Sequence, residues 1–317
     1  MPDLTKSART VLVDCLGAKK AENVLIVVDE PLRDIGQALL IQGRELETEA
    51  VLLEMLPRQS NGEEPPPMVA KAMLEAQVII LATSKSLSHT RARKEANRRG
   101  ARVASMPGLT APVMARTLSG GYGELEARCR KYARFLTEAA QVRLTTPAGT
   151  DLTFSLQGKE AFADSGMLQA PGSFGNLPAG EAFIAPLEGT AAGTLVVDGS
   201  MAGIGLIQSP IVMKVEKGLV VEIEGGQEAD RLKELVDRFG PAARNIAELG
   251  IGLNDQAVLS GIVLEDEKVL GTVHVALGDN STIGGTVEVP SHLDGVLLQP
   301  SLWLDGRKIL EKGNLLA

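Results

Sequence analysis

Aromatic side chains are nearly missing from this chain: six Phe, two Tyr and one Trp make up 3% of 317 residues. So few rings exclude a stacking platform for bases or sugars, which needs aromatic faces in series. Histidine is as scarce, with only His89, His274 and His292, so the place of each is informative. Two cysteines, Cys15 and Cys129, are too few for a disulfide framework and lack CxxC spacing, which suits a reducing compartment. No window reaches 18 apolar residues, so no ordinary membrane span is expected. The start, MPDLTKSARTVLVDCLGAKK, lacks the apolar core and small-residue cleavage site of a signal peptide, so the expected location is cytoplasmic. Positive charge is the minority, with 32 Lys and Arg against 40 Asp and Glu. A net charge of -8 argues against nucleic acid or an anionic membrane as a main partner. Nucleotide and hydrolase signatures are missing too: there is no GxxxxGK[ST], no GxSxG, and the first βα turn, VVDEPLRDIG, lacks GxGxxG.

What is present divides the chain in two. The first part alternates β-branched runs with helix-like stretches. ENVLIVVD, AVLLEML, AQVIILATS and ARVASMPG read as strands, and Leu32 to Glu47, Met68 to Ala76 and Ser88 to Arg99 as helices. This spacing predicts βαβ units, hence an N-terminal parallel, Rossmann-like α/β domain over residues 1–140. Gly123 to Ala140 reads as its last helix. Of the 34 glycines, 24 fall after residue 157, where the pattern becomes short strands and tight turns. Hairpins are expected around Pro147-Ala148-Gly149, Lys217-Gly218 and Asp305-Gly306, strands at GTVHVALG and GTVEVP, and one helix from Gln227 to Phe239. Residues 141–317 are thus expected to form an antiparallel α+β domain. The pairs Gly203-Ile204-Gly205 and Gly250-Ile251-Gly252 read as turns or bulges, and Trp303 as packing.

His89 opens a basic helix and reads as a capping or surface residue. His274 and His292 lie in the glycine-rich half with carboxylates near them. In SHLDG, His292 and Asp294 are two apart, which in an extended segment turns both side chains to one face. An imidazole and a carboxylate so placed can share one metal ion. With His274 in GTVHVALG, and with Glu248, Glu265 and Glu267 nearby, the set suggests a metal site. The plain alternatives are a satisfied core histidine at 274 and capping or solvated carboxylates at 181 and 248.

Four segments in order, NLPAGEAFIAP (176–186), RNIAELGIGLN (244–254), EDEKVLGTVHVALGDNS (265–281) and SHLDGVLLQPSLWLDGRKILEKG (291–313), resemble the M29 metallo-aminopeptidases of the aminopeptidase T type. The resemblance covers residues 142–317 clearly and the first part loosely, and family members are longer, which implies a short variant with a trimmed first domain. It implies that Glu181 is the first metal-binding glutamate, Glu248 a second able to bridge two ions, His274 a histidine ligand, and His292 and Asp294 the closing pair. Glu267 resembles an acid of the family's DEN segment, at a different spacing from the histidine. Where the aminopeptidases carry a tyrosine near the metals, this chain has Ser281. The 2,5-dihydroxypyridine dioxygenases, which share the fold, hold a single Fe(II) with two histidines, an aspartate and a serine, a role that Ser281 or Thr282 fits.

Three functions are therefore expected, in order. The first is an aminopeptidase-like hydrolase of short peptides with two Zn, Co or Mn ions, a metal-activated water, and Glu267 and Ser281 at the reaction. The second is a mononuclear Fe(II) ring-cleaving dioxygenase, and the third a catalytically silent metal-binding protein of the same fold. The resemblance also implies a homodimer and a small-molecule or short-peptide substrate.

Overall fold

The computed structural model describes residues 3–316. The fold is mixed α/β, with one parallel and two antiparallel sheets. Two compact units make up the chain: Met1–Glu124 with Ser165–Ala179, and Leu125–Asp164 with Gly180–Ala317. The expected single boundary near residue 140 differs from this division, because the first unit takes back a later segment. Strand Phe174–Asn176 pairs parallel with strand Arg102–Ser105 and so belongs to the N-terminal sheet. No local pattern in SFGN signals that pairing.

In the first unit the sheet order is Glu49–Glu54, Asn23–Val28, Val78–Ala82, Arg102–Ser105, Phe174–Asn176, and all pairs are parallel. The strands read as nearly continuous apolar runs because helices cover the sheet. Leu25, Val27, Ile79, Leu81 and Val103 pack in one buried cluster with Val69, Met73, Ala92 and Ala96 from helices Pro67–Met73 and Arg91–Arg98. The cap of the latter helix is Thr90, whose hydroxyl accepts from the Arg93 N–H. His89 lies exposed in the turn before it, so the capping reading passes to its neighbour.

The second unit holds an eight-stranded and a seven-stranded antiparallel sheet. The three expected hairpins are present, with Lys217-Gly218 and Asp305-Gly306 both at positive φ in their turns. Two expectations fail. GTVEVP forms no strand; the Val287 N–H is instead taken by the Asn280 side chain. Gly250 and Gly252 are not turn residues but lie inside strand Ile246–Gly252. The seven-stranded sheet runs Gly205–Leu206, Ser200–Met201, His292–Leu297, Val273–Gly278, Ile246–Gly252, Glu181–Ile184, Phe162–Asp164. At Gly295 the side chain of Val197, from the eight-stranded sheet, comes so close that a Cβ would fall 2.7 Å from it. That face is closed by packing between sheets, and the residues alternating with Gly295 project from the other.

Candidate metal centre

The register of the seven-stranded sheet builds the centre. Glu181 pairs with Gly252, Gly250 with His274, Ala276 with both Glu248 and Asp294, and Gly278 with His292. Residues opposed across a pair, and every second residue along a strand, point to one side. Glu181, Glu248, His274, His292 and Asp294 therefore project from one face of four adjacent strands. Asp164 pairs with Glu181 and adds a sixth side chain at the end of the row. The residues between them on this face include Gly250, Gly252, Ala276 and Gly278, which leave room for ligand side chains. Gly250 is decisive, because a Cβ there would fall 1.9 Å from His274 Nε2.

All five residues implied as ligands come together. His274 Nε2 lies 3.1 Å from Glu181 Oε2 and 3.2 Å from Glu248 Oε1. The other Glu248 oxygen is 3.6 Å from His292 Nε2, which is 3.3 Å from Asp294 Oδ1. Two groups result, Glu181–Glu248–His274 and Glu248–His292–Asp294, each with ligand atoms within 4.8 Å of one another. His274 is fully buried, and the Glu181, Glu248 and Asp294 side chains are nearly so, whereas the His292 side chain is 35% exposed. Solvent and substrate thus have access from the His292 side.

The arrangement fits a cation. One imidazole N–H cannot donate to two carboxylates at once, yet His274 Nε2 faces two. Glu181 Oε2 is buried with no hydrogen-bond partner, and so is His274 Nδ1. The donors are carboxylates and imidazoles without a thiolate, which suits Zn, Mn or Fe(II) and not Cu(I). At His292 the ring is oriented as a ligand should be: Nδ1 lies 2.8 Å from the Asp279 carbonyl, so the proton is assigned to Nδ1 and Nε2 faces Glu248 and Asp294.

Beside these, the structure adds two residues that the sequence reading missed. Lys268 is 1% exposed, with Nζ 2.5 Å from Glu181 Oε1, 2.7 Å from Glu267 Oε1 and 3.5 Å from Asp164 Oδ2. In EDEKVL a lysine reads as solvated, and in FADS an aspartate does too; strand pairing with Glu181 brings Asp164 to the site, and the turn after helix Val263–Asp266 brings Lys268. Glu267 is thereby placed against the centre, while Glu265 and Asp266 turn away to hold the Val258, Ser260 and Gly261 backbone. Ser281 is exposed, and its hydroxyl donates to the Asp279 carboxylate at 3.0 Å.

Electrostatics separate the carboxylates. Burial pushes Glu181 up, but Lys268 and His274 outweigh it and hold it below the usual range. Burial also raises Asp294, and the His292 contact more than reverses this. Glu267 keeps its burial shift despite Lys268, because Glu181 and Asp294 repel a further negative charge, and it is pushed up to about 8. A carboxyl so poised holds or releases a proton near neutral pH. Burial pulls both histidines down, but the surrounding carboxylates win: His274 is well above its ordinary value, and His292 is raised to about 10.

The 2,5-dihydroxypyridine 5,6-dioxygenase family, NicX, matches residues 20–317. The chain belongs to this family. The NicX assignment is supported by a curated relative, 2,5-dihydroxypyridine 5,6-dioxygenase of Pseudomonas putida KT2440, 28% identical over 200 residues. That alignment spans 57% of the chain and 56% of the relative, so just over half of the relative's length is matched. Among solved structures, the 2,5-dihydroxypyridine dioxygenase of the same organism superposes with a TM-score of 0.82 at 21% identity, covering 99% of this chain and 97% of that one. Wild-type AmpT from Thermus thermophilus gives 0.68 at 17% identity, covering 99% of each chain. At these identities the two structures show the fold. Both solved chains are matched almost end to end.

NicX membership overturns the aminopeptidase reading: the matching family and the curated relative are dioxygenases, and the M29 likeness survives as a shared fold. The reason lies in what the four motifs encode. They carry the sheet face and its ligand residues, which two chemistries can share, and not the groups that choose between them.

Gly250 gives a direct test of the geometry. In Gly250→Ala the new methyl must displace the His274 ring, and metal affinity should fall at least about tenfold, as for the loss of an orienting contact. A metal titration of the folded variant with affinity unchanged would contradict the placement of His274.

Proposed function

We propose that this NicX member is a mononuclear Fe(II) ring-cleaving dioxygenase acting on 2,5-dihydroxypyridine or a closely similar hydroxylated nitrogen heteroaromatic. The observation that carries this reading is the family match across residues 20–317, on a chain whose His274, His292 and Asp294 share one sheet face. Two imidazoles and one carboxylate with open positions are the donor set of non-haem Fe(II) oxygenases. One ion in place of the expected Zn, Co or Mn pair follows from this reading. Glu248, His292 and Asp294, whose ligand atoms converge, would hold it, with His274 at the other Glu248 oxygen as the second imidazole. A bound Fe(II) supplies the one-electron chemistry that lets dioxygen react with an aromatic ring. The chain's own residues do the rest. The Asp279 carbonyl fixes the His292 ring, and Ser281 braces Asp279 through its carboxylate. Glu267, whose carboxyl is pushed up to about 8 by burial and by Glu181 and Asp294, is the group that would carry the proton exchanged with a ring hydroxyl.

A dimeric assembly and a cytoplasmic location belong to the same proposal. The first rests on the sequence resemblance and the second on the buried Cys15 and Cys129, which form no disulfide. Light scattering and cell fractionation check them. No helix among the described residues is long and apolar enough to cross a membrane.

The activity is tested by loading the purified chain anaerobically with Fe(II) and adding 2,5-dihydroxypyridine in an oxygen electrode. The expected result is one dioxygen consumed per substrate, with loss of the aromatic absorbance. No uptake above the iron-only control overturns the proposal.

A further inference from the structure

We propose that the Lys268 ammonium fills the position of a second cation on the carboxylate face, so that the centre takes one metal ion and not two. The inference rests on the mononuclear reading above and supplies its structural cause. By ligand count alone the face offers two ion sites, because Glu181–Glu248–His274 and Glu248–His292–Asp294 each bring three donors and share Glu248. What distinguishes them is Lys268. Its Nζ reaches Glu181, Glu267 and Asp164, which matches three ammonium hydrogens to three carboxylates. Among the described residues, the Glu248–His292–Asp294 group has ion-pair contacts with histidine alone.

A buried lysine is rare unless paired, and one paired three times at 1% exposure is a built feature. It is also held in place. The Lys268 N–H donates to the Glu265 carbonyl, and its own carbonyl accepts from the Asn254 N–H. These bonds fix the backbone from which the side chain reaches, and the three carboxylates hold the ammonium itself. Glu181 has one oxygen committed to Lys268 and the other near His274, so a dication at its carboxylate would sit against a fixed positive charge. Lys268 thus satisfies the Glu181 end, while Glu248 and Asp294, whose ion-pair partners among the described residues are His274 and His292, remain to take one divalent ion.

The test is metal stoichiometry, with Mn(II) as the probe and equilibrium dialysis as the readout. The native chain should saturate at one ion. Lys268→Met should take two, and its melting temperature should rise with Mn(II) more than that of the native chain, because the ion replaces a missing buried charge. Two ions in the native chain, or one in folded Lys268→Met, overturn the proposal. If Lys268→Met does not fold, Glu181→Gln decides. With Glu181 held by lysine and not by metal, the single ion should stay bound with less than a tenfold change in affinity, and loss of the ion overturns the proposal. The two readings fail separately. Ring cleavage by a two-ion native chain removes the role of Lys268 and leaves the activity. A one-to-two change in stoichiometry without ring cleavage does the opposite.

Discussion

His274→Ala is expected to remove the bound metal and bring ring cleavage to background, while His89→Ala leaves both unchanged. His274 is the fully buried member of the centre, with Nε2 between Glu181 and Glu248. Alanine deletes one of the two imidazoles and leaves two buried carboxylates facing each other across the gap. Breaking a buried charged pair by removing one partner costs about 3–5 kcal/mol, so the metal-free variant should also unfold at clearly lower urea. His89 lies in the exposed turn before helix Arg91–Arg98, in the other unit, and belongs to neither ligand group. Iron content, oxygen uptake and a urea titration on the two variants check the contrast. His274→Ala with native iron content would remove the centre as assigned.

The second large effect is of pH. In the metal-free protein the carboxylates keep His292 protonated up to about 10 and hold His274 protonated well above its ordinary value. A metal ion must displace those protons to use Nε2, so its apparent affinity rises about tenfold per pH unit for each proton released. With both histidines as ligands the rise is about a hundredfold per unit between pH 6.5 and 8.5. Titrations at those two values, with calorimetry in buffers of different ionisation enthalpy, count the protons. A change of less than about tenfold over the whole interval contradicts ligation through these rings. The sign for stability runs the other way. A raised histidine pKa stabilises the folded metal-free chain fully below the unfolded value near 6.5, and this contribution is lost as pH rises through about 10.

Much of this was legible in the residues, for particular reasons. The βαβ rhythm of the first unit shows because buried parallel strands are continuous β-branched runs such as NVLIVV, and the hairpins show because Lys217-Gly218 and Asp305-Gly306 supply the positive φ their turns require. His292 and Asp294 show as a pair because the period of a strand is two. What stayed hidden depends on pairing between distant segments. Gly250 looks like a turn residue until the register sets it opposite His274. Strand Phe174–Asn176 has no local signal for the sheet it joins. Lys268 and Asp164 carry ordinary surface identities; Asp164 becomes a site residue through the row Asp164–Glu181–Gly252, and Lys268 through a turn tied to the Asn254 N–H. The reaction stayed hidden for a related reason, since the recognisable motifs describe the metal-holding face and not the groups that choose between two chemistries.

The central claim is tested most directly by the product formed from 2,5-dihydroxypyridine under isotopically labelled dioxygen, using the chain loaded with Fe(II) alone. The account predicts a ring-opened product carrying both labelled oxygen atoms, formed by a protein holding one iron per chain. An untouched substrate, or a product without label, would contradict it.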